Sequence, residues 1–114
     1  KEYKVKFISS ERFVYSKKYN YAGIMDAEAE VNGKLCVVDF KTSNGIWNEY
    51  RYQTAAYQRA AEEEGSEYQD DRWIARFDKD TGDFETVQCG DLESDFNAFV
   101  GALMIKKREK ELSK

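Results

Sequence analysis

The chain has 114 residues, with 18 Lys and Arg against 22 Asp and Glu and a net charge of −4, a balance that argues against broad nonspecific coating of nucleic acid. It leaves room for a local basic groove, or for metal ions that meet phosphates. The absence of histidine and the wide separation of Cys36 and Cys89 exclude His-dependent triads, His-based zinc sites and Cys-cluster metal sites.

The length fits a single domain, 1–114, with one core. No apolar run approaches the ~20 residues of a membrane span, and no signal-like segment is present. A cytoplasmic protein without a membrane partner is the expectation. The chain opens directly in a strand-like stretch, as a domain lacking an N-terminal helix would.

Residues 1–16 alternate, with Tyr3, Val5 and Phe7 on one face and Lys4 and Lys6 on the other. Phe13 and Tyr15 resume the first set after an interruption at Ser9 and Glu11, so one bent strand or two short ones are expected. Residues 16–20 are polar and make a turn, in which Lys17 and Lys18 read as solvated. A hairpin follows, with strands near 21–31 and 34–42 joined by Asn32-Gly33, a strong signal for a two-residue turn.

That turn sets a register. Val31 pairs with Lys34, Ala29 with Cys36, Ala27 with Val38 and Met25 with Phe40, which makes one largely apolar face expected to lie on the core. On the other face Glu28 opposes Val37, Asp26 opposes Asp39, and Ile24 opposes Lys41. Two carboxylates facing across a ladder have Cβ atoms roughly 5 Å apart and repel, a cost that a cation between them offsets. A hard divalent ion is held by one or two carboxylates, with waters and substrate phosphates completing its shell. An ammonium two residues along the same face can hold a water or meet charge developing at a phosphate. The register equally suits two solvated carboxylates on the exposed face of an ordinary hairpin.

Thr42-Ser43-Asn44-Gly45 has turn chemistry. Residues 46–64 then read as a helix, with Gly65 at the position after its end. Gln53 and Tyr57 lie four apart on one helical face, and Tyr50 and Ala60 extend the stripe. Such a stripe belongs to a core, unless the short loop brings it against the polar end of the preceding strand. Residues 71–79 and 84–88 form a second hairpin around Asp80-Thr81-Gly82-Asp83. The acidic run Asp78, Asp80, Asp83, Glu85 lacks the spacing of a calcium loop and reads as a polar turn. Asp91 caps a last helix, in which Leu92, Phe96, Phe99, Val100 and Leu103 make an amphipathic stripe. The order predicts an α/β fold, a mixed central β-sheet flanked by helices.

Three segments together resemble a known family: Gly23-Ile24-Met25-Asp26, then Val37-Val38-Asp39-Phe40-Lys41-Thr42-Ser43, then Gln53-Thr54-Ala55-Ala56-Tyr57. In this order they are similar to the GxxD, DxKT and QxxxY elements of the PD-(D/E)XK nuclease superfamily, in its RecB-like exonuclease branch. The likeness covers residues 11–65. It implies a restriction-endonuclease-like core in β-β-β-α-β-β-α order and a nuclease of the phage or recombination type. It implies Mg²⁺ or Mn²⁺ as cofactor, DNA as substrate and a role in DNA recombination or repair, with a recombination protein as a further partner.

Carried over residue by residue, the resemblance makes Asp26, Asp39 and the carbonyl of Phe40 metal ligands. Lys41 would position the attacking water and stabilise charge at the phosphate. Gln53 and Tyr57 would orient the lysine and contact substrate, while Thr42 and Ser43 would touch backbone phosphate. The family's further His or Glu ligand, from a helix before the first strand, has no counterpart; Glu11 is the best substitute and Glu2 a weaker one. The alternative to an enzyme is a catalytically incomplete nuclease-fold module that binds nucleic acid or a partner protein.

Overall fold

The structure is a computed structural model that describes residues 4–43, 45–46, 48–68 and 72–113. Glu2, Asn44 of the expected turn and Asp71 of the expected fourth strand lie outside the described residues. Strand β1 spans Val5–Ser16, β2 Tyr21–Val31 and β3 Lys34–Lys41; helix α1 spans Asn48–Glu63; β4 spans Trp73–Phe77 and β5 Phe84–Gln88; helix α2 spans Leu92–Leu112. The expected α/β class is therefore observed, as one five-stranded mixed sheet with two helices.

The strands lie in sequence order, β1-β2-β3-β4-β5. All neighbours are antiparallel except β3 and β4, which are parallel and joined by α1. A parallel pair needs such a crossover, because a tight turn cannot reverse the chain and then restore its direction. β1 is one strand with a register shift between Phe7 and Ser9, where the alternation breaks in the sequence. Asn32 and Gly33 both have positive φ, 54° and 84°, the requirement of a type I′ hairpin turn.

α1 ends in a Schellman arrangement: the Ser66 N–H donates to Ala61 O and the Gly65 N–H to Glu62 O, with Gly65 at φ 106°. Glycine tolerates that conformation without the penalty a Cβ would bring. Asp91 caps α2 by accepting from the Ser94 N–H. The acidic run at residues 78–85 is a turn, in which the Asp78 carboxylate accepts from the N–H groups of Asp80 and Thr81.

The division of the two sheet faces differs from the register-based expectation. The cluster beneath α1 contains Val14, Met25, Val37, Ala60 and Ala61. Val37 thus packs under the helix, on the face that carries Glu28 and Asp39. Ala27, Ala29, Val31, Cys36 and Val38 form a separate cluster with Trp73, to which none of the described helix residues contributes. Met25 leaves the apolar set for the helix side, and Phe40 is 50% exposed. Both changes begin where the ladder stops: the paired register runs from Val31↔Lys34 to Ala27↔Val38 and goes no further. Beyond it, strict alternation no longer governs where side chains point.

Candidate active site

The end of the ladder is itself built by a candidate site residue. The Phe40 N–H donates to Asp26 Oδ2 at 2.8 Å, so a side-chain carboxylate takes a backbone donor that would otherwise extend the β2–β3 pairing. Asp26 and Asp39 still meet, within hydrogen-bonding reach of each other. Asp39 is 2% exposed. Burial first, and then the hydrogen bond with Asp26, push its pKa up to about 7, against the opposing pull of Lys41. A carboxylate in a dry place beside another acid ionises only at high cost, so without a cation Asp39 is favoured in its protonated form.

Lys41 lies at the last position of β3, on the same side of the sheet as Asp39. Its Nζ is 3.1 Å from Asp39 Oδ2 and donates to Gln53 Oε1 at 3.0 Å. Asp39 Oδ2 is ion-paired yet accepts no well-directed hydrogen bond among the described residues. The Tyr50 ring lies beneath the same ammonium, 4.7 Å from Nζ to the ring centroid. Tyr57 completes the wall: burial, then the negative charge of Asp39 and Asp26, raise its pKa to about 12, which keeps its hydroxyl a donor. The Tyr57 ring sits on Gly23, where an added Cβ would be 2.6 Å from Tyr57 Cε1.

The structure therefore brings Asp26, Asp39, Lys41, Gln53 and Tyr57 together, from β2, β3 and one face of α1. Glu11 is exposed with φ 50°, on β1 between the pairs Ser10↔Ala27 and Arg12↔Met25, and among the described residues no three His, Cys, Asp or Glu are placed to share one ion. Thr42 is exposed, and the Ser43 hydroxyl donates to Gly45 O. Arg76, aligned with Lys41 across the parallel pair, donates to Ser43 O at 2.9 Å and to Glu85 at 2.6 Å, and so secures the turn beyond Lys41.

A second polar cluster was not read from the sequence. The buried Glu28 carboxylate accepts from Ser9, Arg12 and Tyr68, and Arg12 also donates to Ser66 and Glu64. Burial alone would raise the Glu28 pKa; the bonds from Ser9 and Tyr68 and the Arg12 charge more than offset it, and the net shift is downward. These contacts tie the segment after α1 to β1 and β2. The sequence signal was slight: a glutamate two residues after Asp26, on the same face, with its partners far along the chain.

The donor chemistry fits a hard divalent cation. Two carboxylates in contact, one of them buried with an oxygen lacking a directed hydrogen bond, form the kind of partial oxygen shell that Mg²⁺ accepts when water and phosphate supply the rest. No family model matches this chain, and no curated protein sequence matches it significantly.

Proposed function

We propose that this domain is a Mg²⁺- or Mn²⁺-dependent nuclease that hydrolyses DNA phosphodiester bonds, an exonuclease of recombination or repair with the PD-(D/E)XK core of the RecB-like branch. One observation carries the reading: Asp39 is buried against Asp26 while Lys41 is held on it by Gln53. An ordinary exposed hairpin face has no reason to bury one of two facing carboxylates or to fix a lysine beside them. Burying ionisable groups is costly unless they are paired or used.

Asp26, Asp39 and the Phe40 carbonyl would hold the cation. When bound, such an ion polarises a phosphoryl oxygen and lowers the pKa of water. Asp39, which burial and Asp26 favour in its protonated form, would have to lose that proton to act as a ligand. Lys41, fixed by Gln53, orients the attacking water and meets the negative charge that grows on the phosphate, where preorganised charge is worth most. Tyr57 screens the carboxylates from bulk water and offers a hydroxyl donor. Thr42 and Ser43, just past Lys41, suit contact with backbone phosphate.

The two-carboxylate donor set favours a second reading, a nuclease-fold module that binds nucleic acid or a protein partner without cleaving. Linear DNA incubated with Mg²⁺ or Mn²⁺ separates the two. The nuclease reading expects hydrolysis by the wild type and a loss of about 100-fold or more in Lys41→Ala and Asp39→Asn. Binding of DNA without hydrolysis under either metal would establish the non-cleaving module.

A further inference from the structure

We propose that Tyr50 is a positioning residue for Lys41, its ring face holding the ammonium in the direction that Asp39 and Gln53 leave open; this rests on the nuclease reading of the site. Lys41 Nζ has Asp39 Oδ2 at 3.1 Å, Gln53 Oε1 at 3.0 Å and the Tyr50 ring centroid at 4.7 Å. An ammonium has three N–H donors on a flexible stem. Two oxygens, one hydrogen-bonded and one ion-paired, leave the head free to swing about the line between them. A ring face within cation–π range removes that freedom.

The placement follows from the helix. Tyr50, Gln53 and Tyr57 are spaced by three and four residues, and so share one face of α1. As part of an apolar stripe, Tyr50 would be expected in the core. It is instead half-buried at the first turn of the helix, beneath the lysine ammonium. The chemistry of a ring is also the right one there. A third carboxylate would neutralise the ammonium needed at the phosphate, and an aliphatic side chain would desolvate it without compensation. The quadrupole of a ring stabilises the charge and leaves it in place.

The test compares Tyr50→Phe, which keeps the ring, with Tyr50→Leu, which removes it at no cost in helix propensity. With linear DNA and Mn²⁺, Tyr50→Leu is expected to lose about ten-fold in kcat with KM little changed, and Tyr50→Phe to retain wild-type kcat. A second readout needs neither metal nor activity. In the metal-free protein, NMR of the Lys41 ε-methylene should show an upfield ring-current shift that persists in Tyr50→Phe and is lost in Tyr50→Leu. Tyr50→Gln makes the same removal should the Leu variant fail to fold.

A kcat for Tyr50→Leu equal to wild type, or a Lys41 signal that does not move, would overturn the proposal. Absence of hydrolysis by the wild type would instead remove the nuclease reading. The NMR comparison would then still decide whether the ring holds the ammonium.

Discussion

Asp39 is held by opposing forces. Burial and the neighbouring Asp26 favour its protonated form, and Lys41 favours its charged form; the first two prevail, and the group titrates at about 7. An unfolded chain releases that proton near the ordinary carboxylate value of about 3.9. Between these values the folded state binds more protons, so its contribution to stability is complete at low pH and is lost as pH rises through about 7. Urea denaturation of the metal-free protein should therefore show stability falling across about pH 4 to 7, with the fall flattened in Asp39→Asn. Glu28 acts in the other direction. Its lowered pKa makes a contribution that is present above the carboxylate range and lost only as pH drops through that lowered value, so it leaves the Asp39 window clear.

The relation of α1 to β2 is set by one glycine. Gly23 lets the Tyr57 ring lie against the strand backbone, where a Cβ would approach Cε1 to 2.6 Å. In the sequence, a glycine three residues before Asp26 is equally a bulge, a close approach or a plain packing position; the helix seated on it makes it a close approach. Gly23→Ala should push the ring and its helix outward, with an expected cost of about 1–3 kcal/mol by urea denaturation. Gly23→Ala combined with Tyr57→Leu should cost less than the sum of the two single changes, because the clash exists only when both groups are present. Additive losses would show that the ring and the glycine are not coupled. At its other end α1 is held by the Schellman turn at Gly65 and by Arg12, which reaches Glu64, Ser66 and Glu28. The helix that carries Gln53 and Tyr57 is thus fixed at both ends of its site-facing stripe.

At the scale of the molecule, the two sheet faces are covered differently. The helix side buries Val14, Met25, Val37, Ala60 and Ala61. The Arg72 guanidinium, fully buried, joins the elements on that side through Arg51 O, Gly90 O and Asp95. The opposite side is an apolar groove of about 320 Å³ lined by strand residues, including Phe7, Val38, Phe40, Trp73 and Phe84. Phe7 and Phe84 there are 61% and 66% exposed. Truncation on the two sides should differ accordingly. Val37→Ala is expected to cost about 2 kcal/mol, and Phe84→Ser about 0.5 kcal/mol or less, both read from denaturation midpoints at constant slope. Equal costs would mean that the exposed rim of the groove is packed as tightly as Val37 beneath the helix.

Local chemistry was enough to place the elements. Asn32-Gly33 determined the hairpin and its register, Gly65 the end of α1, Asp91 the start of α2, and alternation the strands, because each depends on backbone conformations a few residues across. The same register put Asp26 near Asp39, although the paired ladder ends one residue short of them at Ala27↔Val38, and the helical spacing put Gln53 and Tyr57 on one face. Which sheet face α1 would cover was not local. It depends on the crossover from β3 to β4 and on the packing of Ala60 and Ala61 against Val37; the face expected on the core is buried with Trp73, and the helix buries the opposite face as well. The burial of Asp39, the seat of Tyr57 on Gly23, the Arg12–Glu28 cluster and the ring beneath Lys41 all join groups far apart in the chain. Only the tertiary structure decided them, because the energy of a buried charge depends on what surrounds it in space, and no spacing along a chain records that.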